Sequence, residues 1–527
     1  MKKSFNFIVA IVLLTLFLNV AAAFANNLQI SNVSLTGQDQ DNDYVMVECD
    51  ISWDNSWRTD DLNGDGVTNW DAAWIFIKYK ASDGNYYHST LNTTDGNHDA
   101  GSQGTDATID AGSDGMGVFF YRSENGTGTF SSTNVQLRWE YGTDGLSDDL
   151  DNDAATVEVF AIEMVYVPQG SFYLGSGGSE SRHFYKYPTT TDEFQVTSEG
   201  AINTGTTNDY LWAESGDFIE SGTIPAGFPK GYDAFYCMKY EMTQEQYVDF
   251  LNTLTYDQQE IRVAVAPSSG AGTHAFTEET RYRNGIEVMT SGTENTVPAV
   301  FGCDFNNNGT YNESGDGQNI ACNFLSWADG AAYSDWSGLR PMTELEYEKA
   351  CRGGATPVAN EYAWGTTNIA GSAYTLSNNA GAGNEEIATN YSTTAGNFSY
   401  SSIDGSINGP LRVGIFASNT NNSGRETSGA SYYGVMELSG NLWERPVTIG
   451  NSTGRAFTGA HGNGELGSTG NADASNWPGI NAVGSGSRGG GWNSLDYYCR
   501  PSDRNGASGG GSSRGDYDGF RCAHSGE

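Results

Sequence analysis

The sequence predicts an α+β chain in two parts, a β-sandwich followed by a larger, loop-rich domain. Three observations carry that prediction. Short runs of alternating apolar and polar residues, parted by Gly, Asn and Asp, fill residues 27 to about 160. Three helical segments, each opened by a capping residue, follow further on. The chain also holds 68 Gly, 29 Tyr and 12 Trp in 527 residues, the mixture of an aromatic-studded fold rich in loops.

The first strands are Val45–Cys49, Ala73–Tyr79, Gly117–Tyr121 and Val135–Trp139, and their spacing predicts an Ig-like sandwich over residues 26–162. Asp148–Asp153 is expected to be a turn or hinge before the strand-like Val157–Phe160. The second domain, 163–527, opens on Met164–Leu174 as two short strands around a turn. A polar insertion at about 177–229 reads as loop. Thr243 with Gln246 caps a helix burying Tyr247, Phe250 and Leu251, Ser326 caps a second with Gly338 as its stop, and Thr343 with Glu346 opens a third. Beyond it, Gly, Asn, Ser and Thr dominate, so metal ions and disulfides are the expected staples.

Lys2, Lys3, the apolar run Phe7–Val20 and Ala23-Phe24-Ala25 read as a signal peptide over residues 1–25, so a secreted or periplasmic protein is expected. No later run is apolar enough to span a bilayer. With 65 acidic and 26 basic residues the net charge is −39, which repels nucleic acid and anionic lipid. The acid serves solubility alone or binds calcium. Seven cysteines in an exported chain imply disulfides with at least one left over. Cys303 and Cys322, flanking a polar loop, are the simplest local pair, and spacing leaves Cys49, Cys237 and Cys499 unassigned.

Two loops have the spacing of calcium sites. In Asp61-Leu62-Asn63-Gly64-Asp65-Gly66-Val67-Thr68-Asn69-Trp70-Asp71, oxygen ligands alternate through Asp61, Asn63, Asp65, Val67, Asn69 and Asp71, with Gly66 at the sharp turn. The stretch resembles an EF-hand or dockerin loop, although Ala72 holds the twelfth position, where a closing acid belongs. It is either that or an Asx-rich turn. Asp304, Asn306 and Asn308 repeat the spacing with weaker ligands, as a weak site or a hydrogen-bonded turn.

A set of ordered motifs then runs from 164 to 524. It comprises the opening strand pair, Tyr240–Tyr247, Ser326–Tyr333, Leu339–Gly354, Tyr362–Gly365, Gly434–Glu444, Arg488–Trp492, Tyr498–Arg500 and Gly519–Cys522. Together they resemble the formylglycine-generating enzyme (sulfatase-modifying factor) family. The resemblance implies a C-type-lectin-like fold stabilised by calcium, with one ion held by the Gly440 and Leu442 carbonyls and the Glu444 carboxylate and a second near Asn397. It also implies a disulfide between Cys351 and Cys522.

Family enzymes bind copper(I) between two thiolates, soft ligands for a soft ion. Here Cys499 fills one position, beside Tyr498 and Arg500, but Ser494 fills the other, and a serine hydroxyl cannot replace a thiolate. Gly491, Tyr517 and Arg445 stand where the family has serine, asparagine and tryptophan. A vestigial site without copper is therefore expected, and no catalytic residues. A related sulfoxide-synthase branch needs three clustered histidines, whereas the six here are scattered.

Two functions follow from this. One is a secreted, calcium-stabilised, non-catalytic binding or surface-assembly protein that meets an extracellular protein or glycan through Tyr497, Tyr498, Arg500, Asp503, Arg504, Arg514 and Tyr517. Those residues otherwise merely solvate a loop. The alternative is a copper-dependent oxidase that converts cysteine to formylglycine in client proteins.

Overall fold

In the computed structural model, described for residues 27–103, 106–276, 281–377, 381–509 and 511–526, the chain is α+β and mostly sheet. The expected signal peptide lies outside the described residues. Strands β1 (Gln29–Asp39), β2 (Tyr44–Leu62), β3 (Val67–Ala81), β4 (Tyr86–His88), β5 (Ala107–Ala111), β6 (Val118–Arg122) and β7 (Gly126–Trp139) make the N-terminal part. The acidic hinge is a single helical turn, α1 (Leu150–Asp153), leading into β8 (Ala154–Val167). Residues 162 and 163, where the sequence places the domain boundary, both lie inside β8.

Period two explains how β3 serves two cores. Its Ala73, Ile75, Ile77 and Tyr79 pack with Val47, Ile51 and Trp53 of β2 and Leu137 and Trp139 of β7. The alternate residues Trp70, Ala72, Trp74 and Phe76 face the other way, into a core that holds the helices. Antiparallel to β3, β8 pairs with it from Asp71↔Val165 to Ala81↔Ala154. Its far end pairs on the other edge with β15 (Phe235–Met238), which carries β21 (Cys522–Ser525) and then β18 (Arg340–Pro341). One sheet therefore runs from the N-terminal strands to the C-terminus.

Short strands fill the segment read as loop. After β9 (Phe172–Leu174) come β10 (Phe184–Lys186), β11 (Phe194–Val196), β12 (Ile202–Thr204), β13 (Leu211–Ala213) and β14 (Gly222–Ile224), of which β10, β13, β12 and β14 form a four-stranded sheet. Two further hairpins pair β16 (Ile286–Thr290) with β17 (Val300–Cys303) and β19 (Thr375–Ser377) with β20 (Glu386–Thr389). The three expected helices are α2 (Gln244–Asn252), α4 (Trp327–Trp336) and α5 (Glu344–Arg352), each with its reciprocal capping box. A fourth box, Thr255 with Gln258, opens α3 (Tyr256–Arg262). Among the described residues no helix is long and apolar enough to cross a membrane.

The expected disulfide staples are not formed. All seven cysteines are free and buried. Cys303 and Cys322 share the helical core as unbonded thiols. The Cys351–Cys522 pair is prevented by strand parity: Cys522 faces the helical core, while its neighbour Ala523 faces the core that contains Cys351. Buried arginines hold the loops instead. Arg340 pairs with Glu346, Arg488 with Glu344 and Glu348, Arg504 with Glu344, and Arg521 with Glu444, while Arg412 caps the carbonyls of Glu385 and Val413. Planar forks with five donors suit carbonyl-rich loops that make few ladder bonds of their own.

Candidate functional site

Cys499 ends a single turn, Asp496–Cys499, behind the Gly-rich loop that starts at Arg488. Its side chain is wholly buried against Tyr362, Trp364, Phe398 and Tyr400. Gly490 crosses directly over it with φ +71°, and a Cβ there would lie 2.5 Å from the sulfur, so glycine is required. Burial, with Asp496 and Asp503 adding to it, pushes the thiol well above its usual pKa. It is a protonated, packed thiol.

Ser494 closes a local turn. Its Oγ accepts hydrogen bonds from the Gly491 amide and the Trp443 indole, both at 3.0 Å. With two donors on the oxygen and no second thiolate, the donor set does not fit copper(I).

Next to it, Arg445 pairs with Asp518 at 2.5 Å and donates to the carbonyls of Leu325, Gly511 and Ser513. The residue that replaces the family tryptophan thus knits three loop segments together. In the sequence Trp443 stands out only as part of the Gly440–Glu444 stretch and Asp518 only as the end of the polar 493–518 face, not as partners of Ser494 and Arg445.

The predicted binding face divides in two. Tyr497 and Tyr517 are 40% and 39% exposed, and Leu495, a lone leucine in a polar run that the sequence reading passed over, is 46% exposed. Tyr498 stacks obliquely on Tyr497, centroids 4.4 Å apart, and leans on Trp443 at 6.1 Å. Arg500 reaches Asn360 Oδ1 at 3.1 Å. The other members are structural. Arg504 is fully buried on Glu344, Asp503 is buried and accepts the amides of Ser181 and Asn505, and Arg514 clamps Asp329 and the carbonyls of Ile261 and Val263 at the C-terminal end of α3. Burial raises the Asp503 carboxyl to about 6.

The calcium candidates separate in the same way. Asp71 is buried and accepts from Trp53, Ser56, the Trp57 amide and Lys239, and Asn69 is spent on Trp57 and Tyr166. Both therefore leave the Asp61 loop, which is the β2–β3 turn. Within it Asp61 accepts the Gly66 amide and Asp65 the Val67 amide, while Asn63 sits at φ +56°. Asp304 accepts the Asn308 and Gly309 amides with its two oxygens, Asn306 accepts the Asn308 amide, and Asn308 accepts that of Thr310. The Asn397 oxygen is taken by Tyr374 and the Ser392 amide. Glu444 differs. One oxygen binds Arg521 at 2.7 Å and the other is buried with no partner, close to Gly440 and Leu442 in the chain. Among the buried candidates it is the one with an oxygen left to offer a hard cation, while Asp61 and Asp65 each keep a second, exposed carboxylate oxygen.

The profile of the family described as Sulfatase-modifying factor enzyme 1-like domain matches residues 151–525. The chain belongs to this family. The sulfatase-modifying-factor match begins at α1 and takes in β8, so the family domain includes a strand that also lines the N-terminal core. No curated protein matches the chain. Among solved structures, Treponema denticola variable protein 1 is similar at 13% identity, with 70% of this chain and 96% of that chain covered and a TM-score of 0.31.

Proposed function

We propose that this member of the sulfatase-modifying factor family is non-catalytic and acts as an exported binding protein. The reading extends to the finer architecture, an Ig-like sandwich joined to a C-type-lectin-like domain, and to a calcium ion at Glu444. One observation carries it: the position of the second copper thiolate is a serine whose oxygen already accepts two hydrogen bonds, while the remaining thiol is buried among aromatic rings. Copper chemistry needs thiolates open to the ion, and neither condition is met.

What the loop offers outward is Leu495, Tyr497, Tyr498 and Tyr517, an apolar and hydroxyl-tipped surface on a framework pinned by Arg445 and Arg504. Rigid aromatic groups with few torsions lose little entropy on binding a protein or glycan surface. The test is copper(I) titration of the reduced chain against a competing chelator. No stoichiometric binding is expected. Tight one-to-one binding that disappears in Cys499→Ala would establish the oxidase alternative instead.

A further inference from the structure

Away from that loop, a cleft of about 590 Å³ opens between the β2–β3 hairpin and the 414–436 segment. Its walls carry Trp57, Tyr240, Tyr432 and Tyr433, with Asn63 and Asn422 among the amides. Tyr432 is partly exposed and stands nearly perpendicular to the buried Tyr433, centroids 5.0 Å apart, so Tyr433 fixes the Tyr432 ring from behind. None of the residues 491–518 contributes.

The two cations of the cleft are in different states. Lys239 is neutralised by Asp71 and Glu163, each at 3.3 Å, and lies over the Trp57 ring. Among the described residues Arg425 has no carboxylate partner. It donates Nη2 to the Ala363 carbonyl and stacks on Tyr432 at 5.2 Å, while its Nε is buried without any acceptor. Glu361, the acid that acts on it electrostatically, is already held by Arg352. Burial lowers the Arg425 pKa to about 10, so the guanidinium stays charged at neutral pH. A part-buried guanidinium whose Nε donor is left unpaired is costly unless an anion completes its charge.

We propose that this cleft binds an acidic saccharide, a hexuronate-containing oligosaccharide, with Arg425 taking the carboxylate while Trp57 and Tyr432 cover the apolar ring faces. The volume is in the range of small-ligand sites and holds roughly two or three sugar rings. A planar fork matches a carboxylate in two hydrogen bonds, which a neutral sugar cannot supply. Asp65 acts electrostatically on Tyr433, so the carboxylate belongs at the Arg425–Tyr432 end. The site shares no residue with the exposed tyrosine face and stands or falls independently of it.

Calorimetry on the whole chain, with tri-galacturonate as probe and a neutral trisaccharide as comparison, tests the proposal. The acidic sugar should bind at least about tenfold more tightly, and added salt should weaken it. Arg425→Gln should erase that preference, and Trp57→Phe should weaken both sugars. Equal affinity for the two probes, no binding of either, or an acidic preference that survives Arg425→Gln overturns it. Should Arg425→Gln fail to fold, the wild-type preference together with Arg425→Lys, which keeps charge without the fork and should lose part of the preference, still decides.

Discussion

Replacing Glu344 by glutamine would test whether Arg504 is an anchor of the fold rather than part of a binding face. The carboxylate is fully buried and accepts five hydrogen bonds: Thr448 Oγ1 and the Ile449 amide at 2.8 Å, Arg488 Nη1 and Arg504 Nε at 2.9 Å, and Arg504 Nη2 at 3.2 Å. Arg488 would keep Glu348 at 2.6 Å, but Arg504 would keep only the carbonyls of Arg182 and Phe218 and the face of the Phe184 ring, none of them a counter-charge. One buried positive charge then lacks its counter-charge, a loss of about 3–5 kcal/mol. Set against a typical total of about 5–15 kcal/mol, that is a large fraction. Urea unfolding followed by tryptophan fluorescence should show the midpoint falling by about 1 M or more.

The acid limb gives a second readout of the same residue. Burial pushes the Glu344 carboxyl up, yet Arg504 and Arg488 outweigh it and hold the pKa below 4.5. A depressed carboxylate contributes stability above its unfolded pKa, and that contribution is lost as pH falls through the folded value. Glu344→Gln should therefore flatten the stability profile below about pH 4.5. The double variant Glu344→Gln/Arg504→Gln should recover part of the loss, since it leaves no orphan charge. A single variant as stable as the wild type, or a double variant that loses the sum of both single effects, refutes the argument.

Tyr497→Ala and Tyr517→Ala, at exposed positions, should each change stability by less than about 0.5 kcal/mol in the same urea assay. Gly330→Ala in α4 should cost about 1–3 kcal/mol despite the better helix propensity of alanine, because its Cβ would lie 1.8 Å from the buried Phe520 ring; differential scanning calorimetry would show the lower melting point. Burial lowers His88 to about 3, with Nε2 on the Met116 carbonyl and Nδ1 unpaired. The unfolded chain protonates it near pH 6.5 while the native one does not, so stability should fall by about 1.4 kcal/mol per pH unit from 6.5 down toward 3. His88→Asn should reduce that slope in urea midpoints taken at successive pH values.

Much of the fold is legible because it obeys local rules. The capping boxes at Thr243, Ser326 and Thr343 fix helix starts with two hydrogen bonds each, and the alternation in Ala73–Tyr79 marks a strand. What escaped is non-local. The insertion sheet is built from three-residue strands, too short for a period to register. Alternation in β3 says that one face is buried but not that both are, in different cores. The same limit governs the site. Replacement of a thiolate by Ser494 can be read from residue types, whereas the burial of Arg504 cannot, since an arginine among Asp, Asn and Gly looks solvated until Glu344 arrives from 160 positions away. Asp71 likewise sits in calcium-loop spacing, yet parity turns it inward onto Trp53 and Lys239.

The shared strand β8 has a mechanical consequence. A chain with a flexible tether between its parts would let one part tumble while the other is held. Here the β3–β8 ladder crosses the junction, so a pull between the N-terminal strands and the tyrosine loop would load many backbone hydrogen bonds in shear at once. The molecule would transmit force across that junction as a single stiff unit.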